Sequence, residues 1–225
     1  MTKELTVRVS EKVGEVSALL MRPREAHWLL VLAHGAGAGM RHPFMEGIAR
    51  ELAAVGLATF RYQFPYMQKG GRPDPPAVLA ATVRAAITAA AEAVPELPLL
   101  AGGKSLGGRM TSHLLSEDPT EATSRVRGVV FFGFPLHVPG RPDTKRADHL
   151  ERISVPMLFL QGTRDTLADV TLIRSVSAKL GPRATLHVVD TADHSFHVLK
   201  GSGTTDAEVL RVLAHATASW ADSLR

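Results

Sequence analysis

Six short runs of apolar residues, Trp28–Ala33, Leu57–Tyr62, Leu97–Ala101, Val129–Phe132, Met157–Leu160 and Thr185–Val189, constrain this chain more than any other feature. Most are apolar throughout and do not alternate with polar residues. That is the pattern of parallel strands covered on both faces. A pair of runs precedes them, Leu5–Val9 and Glu15–Met21, with Ser10 to Gly14 between, and reads as an antiparallel hairpin. Helical patterns fill most of the gaps. Pro43 opens one, with Phe44, Ile48, Leu52 and Val55 on a face and Gly56 after its end. Leu79, Val83, Ala86, Ala90 and Val94 make a second stripe, Leu106, Met110 and Leu114 a third, and Val170, Ile173, Val176 and Leu180 a fourth. The last opens on Thr205-Asp206-Ala207-Glu208, a capping-box pattern, with Val209, Val212, Leu213, Ala216 and Trp220 as its expected buried face.

A hairpin followed by alternating strands and helices predicts an α/β fold, class by class the simplest solution. It is a doubly wound, mostly parallel sheet of about eight strands with helices on both faces, one domain over residues 1–225, and no large cap. Two long Pro- and Gly-rich loops, Gln63–Pro76 and Gly133–Val155, are expected to line an entrance, because such sheets bind ligands beyond the carboxyl ends of their strands.

Composition narrows the function classes. Lys and Arg number 26 against 22 Asp and Glu, a net charge of +4, and the basic residues are scattered, so nucleic-acid binding is not expected. The absence of Cys excludes disulfides and Cys-ligated metals or clusters. The apolar stretch Ala77–Val94 is interrupted by Thr82, Arg84, Thr88 and Glu92, so no membrane span is expected. The N-terminus lacks the apolar core of a signal peptide, and a cytoplasmic chain is the expectation. No partner protein or oligomeric state is specified.

The chemistry concentrates at Gly103-Lys104-Ser105-Leu106-Gly107, a G-x-S-x-G string between an apolar run and an amphipathic helix. A serine there sits on a sharp strand-to-helix turn, and small neighbours let the adjoining backbone pack closely. A phosphate-binding reading of Gly103-Lys104-Ser105 fails, since that motif needs a glycine at position 98, which is Pro98.

A nucleophilic serine needs an imidazole to take its proton and a carboxylate to orient the imidazole. Asp165 follows the run Met157–Leu160, and His194 follows Thr185–Val189, so Ser105, Asp165 and His194 fall at three strand ends on one rim of the sheet. Asp169 and His197 are competitors lying farther from their strands. Asp190 and Asp193 are read as shaping the last loop. The small-residue loop His34-Gly35-Ala36-Gly37-Ala38-Gly39 is placed to aim the Ala36 N–H at a substrate oxygen. With the Leu106 N–H it would form an oxyanion hole, and His34 would brace the loop. Lys104 and Arg109 flank the nucleophile and are expected to pair with nearby carboxylates, the alternative being that they favour an anionic substrate.

These strings resemble the α/β-hydrolase superfamily over about Leu5 to Trp220. His34-Gly35-Ala36-Gly37-Ala38, Phe64-Pro65-Tyr66-Met67, Asp74-Pro75-Pro76, Gly103 to Arg109, Gln161-Gly162-Thr163-Arg164-Asp165 and Asp193-His194-Ser195-Phe196 look like a small lidless branch related to dienelactone hydrolases. That branch includes the testis-expressed-protein type and the hydrolase-like subunit of a chromatin-acetylating complex. The resemblance implies Ser105, Asp165 and His194 as a triad. Dienelactone hydrolases themselves use a cysteine where this chain has Ser105. The expectation is a serine hydrolase acting on a small-molecule carboxylic ester or thioester, without metal or organic cofactor. The alternative is a non-catalytic interaction module built on the same fold.

Overall fold

The computed structural model describes residues 2–117 and 120–225. Eight strands form one sheet in the order β1-β2-β4-β3-β5-β6-β7-β8. They are β1 (Thr2–Ser10), β2 (Gly14–Met21), β3 (Trp28–Ala33), β4 (Leu57–Tyr62), β5 (Leu99–Lys104), β6 (Val126–Phe132), β7 (Met157–Gly162) and β8 (Ala184–Val189). The expected hairpin is present: β1 and β2 pair antiparallel, and β2 joins β4 antiparallel. From β4 onward every pairing is parallel.

The apolar runs are explained by burial on two sides. Along β3, Leu29, Val31 and Ala33 pack into the core on one face, while Trp28, Leu30 and Leu32 pack into the core on the other. The first face is covered by α3 (Pro76–Ala93) and α4 (Leu106–Glu117), and the second by α1 (Pro43–Ala54) and α7 (Asp206–Asp222). A third cluster, with Phe131, Phe134 and Phe159 at its centre, sits under α6 (Val170–Leu180). Helix α3 has the length and apolarity of a membrane-spanning segment, but its Leu79, Val83, Ala86, Ile87 and Ala90 are buried against the sheet.

Local signals act where the residues suggest. Pro43 occupies the first turn of α1, and Gly56 takes a φ of +82° just past its end. The capping box of α7 is formed in both directions, Thr205 N–H to Glu208 Oε2 at 2.7 Å and Glu208 N–H to Thr205 Oγ1 at 3.2 Å.

Three expectations are corrected. The strand expected at Leu97–Ala101 is instead Leu99–Lys104, starting after Pro98 and running on because Gly102, Gly103 and Lys104 keep pairing with Val130, Phe131 and Phe132 after the apolar run has ended. The loop Gln63–Pro76 holds the short helix α2 (Pro65–Lys69), and the loop Gly133–Val155 holds a 3-10 helix at Lys145–Arg152; α5 (Glu121–Ser124) is a further short turn. Val212 of α7 is 45% exposed, not buried, since the packed face runs through Val209, Leu213, Thr217, Trp220 and Ala221.

Candidate active site

Ser105 sits between β5 and α4 with a φ of +50°, a left-handed conformation that a non-glycine residue holds only when its surroundings enforce it. The enforcement is steric. A Cβ on Gly103 would lie 2.5 Å from the Ala33 carbonyl oxygen, and one on Gly107 would lie 2.6 Å from that of His34. Two bare backbones therefore let α4 close against the end of β3. The Ser105 N–H donates to the Phe132 carbonyl at 3.1 Å, and its carbonyl accepts the Arg109 N–H. The serine is pinned by its backbone, so its hydroxyl is available to a side-chain partner.

Asp165 follows β7 on a turn closed by its own side chain, which accepts the Leu167 N–H at 2.7 Å. Its other oxygen accepts from the Gln161 side-chain amide and from His194 Nδ1, the latter at 2.7 Å. The carboxylate side chain is fully buried. His194 follows β8, and its Nε2 lies 2.9 Å from Ser105 Oγ. An ionised carboxylate only accepts, so the imidazole hydrogen belongs on Nδ1 and the Nε2 lone pair faces the serine hydroxyl. The three residues named from strand ends are thus in one hydrogen-bonded line.

Their competitors are engaged elsewhere. Asp169 is the N-cap of α6, accepting the N–H groups of Thr171 and Leu172. His197 pairs with Asp206 at 2.6 Å on an exposed edge. Asp193 accepts the N–H groups of Ser195 and His197 from within its own loop, and Asp190 accepts from Thr163. Both shape the loop, as their positions suggest.

The loop after β3 passes beside Ser105: a Cβ on Gly35 would lie 3.7 Å from the Ser105 Cβ. His34 is buried and braces this loop, accepting the Phe64 N–H on Nε2 at 3.0 Å with Nδ1 toward the Gly35 carbonyl at 2.7 Å. Burial lowers its pKa to about 4, against the smaller opposing effect of the Gly35 carbonyl, so it stays neutral. Tyr66 of α2 holds the same loop by donating its hydroxyl to the Ala36 carbonyl at 2.9 Å. Burial first and the Asp74 carboxylate second push its pKa up to about 12, so it remains a donor. Leu106 is the first residue of α4, and a helix leaves its first N–H groups unused by its own carbonyls.

The expected carboxylate pairing of Lys104 and Arg109 is not found among the described residues. Lys104 Nζ donates to the His194 carbonyl at 2.6 Å, and the Arg109 Nε is buried without a hydrogen-bond partner. Arg109 instead borders a cleft of about 730 Å³ between α3 and α4, with Arg84, Met110 and His113. None of Ser105, Asp165 and His194 lines that cleft. Gln161 is a residue the sequence reading left without a role. Besides its bond to Asp165 it accepts the Phe134 N–H at 3.1 Å, tying the loop after β6 to Asp165.

A sequence model described as an alpha/beta hydrolase domain matches residues 26–222. The chain belongs to the alpha/beta hydrolase family. Solved structures share the fold of this alpha/beta hydrolase. A dienelactone hydrolase from Anabaena variabilis superposes with a TM-score of 0.75 at 21% identity, covering 98% of this chain and 96% of the other. An alpha-beta serine hydrolase homologue from Coxiella burnetii gives 0.75 at 19% identity, covering 95% and 96%. A serine hydrolase without a lid from Xanthomonas campestris gives 0.72 at 18% identity, covering 97% and 94%.

Proposed function

We propose that this alpha/beta hydrolase is a serine hydrolase that cleaves a small-molecule carboxylic ester or thioester through an acyl-enzyme on Ser105. The observation that carries the reading is the continuous line Asp165–His194–Ser105, with contacts of 2.7 and 2.9 Å. His194 takes the serine proton as Oγ attacks the carbonyl carbon. Asp165 keeps the imidazole in the tautomer that can accept and stabilises the imidazolium that results. The N–H groups of Ala36 and Leu106 receive the oxyanion, each donor contributing ~2.7–4 kcal/mol where such sites have been probed. His194 then gives its proton to the departing alcohol or thiol. Water, deprotonated by the same imidazole, releases the acid and restores Ser105. The bracing of the loop after β3 by His34 and Tyr66 favours this assignment, because an oxyanion donor acts only if it is held in place beforehand.

The test is covalent labelling with a fluorophosphonate alongside hydrolysis of p-nitrophenyl acetate. One label per chain is expected on Ser105, with none on a folded Ser105→Ala variant, whose turnover should fall at least about 10³-fold. Undiminished hydrolysis by Ser105→Ala removes Ser105 from the reaction. An unlabelled, folded wild-type chain favours the interaction module in its place.

A further inference from the structure

We infer that Lys104 is a positioning residue for the general base: its ammonium ties the loop carrying His194 to the turn carrying Ser105, and so sets the distance between base and nucleophile. The inference rests on the Ser105–His194 pairing proposed above and adds to it a residue that touches neither substrate nor reacting atom.

The geometry is specific. Lys104 precedes Ser105 at the end of β5, where its backbone pairs with Phe132 of β6. Its side chain crosses toward β8 and donates to the carbonyl of His194 itself, at 2.6 Å. The base is therefore gripped at its own backbone, between its side-chain bonds to Asp165 and Ser105. Two aromatic rings wall the ammonium, Phe44 of α1 with its centroid at 5.8 Å and Phe196 of the histidine loop at 5.6 Å. Those rings stack on each other at 5.7 Å. Gly133 closes another side: a Cβ there would lie 3.2 Å from Nζ and 3.4 Å from His194 Cε1 and Nδ1. A lysine placed only for solubility would extend into water. This one is half-buried and gives up part of its hydration for one carbonyl and two ring faces, a placement that costs a charge unless its position is used.

The charged groups facing it are Asp165 after β7 and Asp193 in the histidine loop, with the imidazole of His194 alongside; α1 offers only Phe44, and the turn after β6 only the backbone of Gly133. Desolvation lowers the lysine pKa to about 8, and the two carboxylates oppose the shift without cancelling it. The ammonium is charged below that pH and neutral above it. A neutral amine is a weaker donor, so the tether loosens as pH rises.

Lys104→Met keeps the length and removes the donor. It should lower kcat about 10–100-fold, as expected for a displaced catalytic group, with KM within about twofold and little change in melting temperature. In the wild type, kcat should decline to a lower plateau through about pH 8, and this step should vanish in Lys104→Met. Lys104→Arg, which keeps charge and donors, should recover part of the loss. Hydrogen exchange at residues 190–198, faster in Lys104→Met, reads the tether without reference to any substrate. Unchanged exchange there, or kcat kept within about threefold, overturns the inference; so does a flat wild-type kcat between about pH 7 and 10. Faster exchange in a chain that hydrolyses no ester retains the tether and rejects the proposed function.

Discussion

The turn that carries Ser105 is held mainly by shape, whereas the loop that carries His194 adds polar contacts and one stacked ring pair to its own close packing of Ala192 over Gly162. At the first, glycines 103 and 107 allow backbone to touch backbone, and any added atom meets a carbonyl that cannot step aside. At the second, residues 190–198 carry two non-glycine residues in left-handed conformations, Thr191 at φ +57° and Phe196 at +66°. The strain at Phe196 is held by its stacking on Phe44, and the chain around it by Asp193 and Lys104. The first half of the site is therefore sensitive chiefly to volume, and the second to charge and hydrogen bonding as well. In the proposed reaction a serine fixed by sterics can serve only if the imidazole is brought to it, and the contacts of the His194 loop hold the imidazole there.

Substitutions can break this contrast in order of size. Asp165→Asn tests the polar side most severely. It leaves the volume unchanged but presents an amide N–H or a weaker acceptor to Nδ1, and kcat should fall about 10³–10⁴-fold while the far-ultraviolet spectrum is unchanged. Gly107→Ala tests the steric side. A single methyl forced against the His34 carbonyl should cost about 1–3 kcal/mol or more in denaturant unfolding, with loss of activity beyond what unfolding explains. Should it be tolerated at full activity, the turn is not held by shape. Asp193→Ala removes two acceptor contacts from an exposed stretch and should cost about 1 kcal/mol, with faster exchange at the Ser195 and His197 amides.

The smallest effect belongs to His197 and Asp206, which fasten the far end of the same loop. Their hydrogen bond first, and their charges as well, raise the His197 pKa above 6.5 and lower that of Asp206 below 3.8. Stability from the histidine is present below its unfolded pKa and lost as pH rises through the raised folded value. That from the aspartate is present above its unfolded pKa and lost as pH falls through the lowered folded value. The pair should thus stabilise most between about pH 4 and 6.5, by no more than ~1 kcal/mol because both side chains are exposed. His197→Ala should flatten that maximum in a series of unfolding curves against pH.

Much of this was legible in the residues. Strands β3 and β4 have the limits their apolar runs suggest, because a strand buried on both faces writes its length into the sequence. Strand β5 does not, because its last three residues are kept in the sheet by close backbone contact. The order of Ser105, Asp165 and His194 followed from strand ends alone, since a parallel sheet presents every carboxyl end on one rim. What escaped was contact between distant backbone and side chain. Lys104 was expected to find a carboxylate, but its partner is a carbonyl 90 residues on, and a carbonyl is present at every position and so marks none. Gln161 escaped for a related reason: its two bonds, to Asp165 and to the Phe134 N–H, arise only when the loops after β6 and β7 lie side by side. Val212 was misplaced because an Ala-rich helix such as α7 leaves several rotations with nearly equal apolar faces.

The line from Asp165 to Ser105 runs from a dry end to a wet one: the carboxylate side chain is sealed, while that of His194 keeps 21% of its surface open. An acyl group resting on the serine would therefore meet bulk solvent at the imidazole without any gate having to swing. Its lifetime would be governed by carbonyl reactivity and not by a mechanical step, and thickening the medium with sucrose should leave the rate of deacylation unaltered.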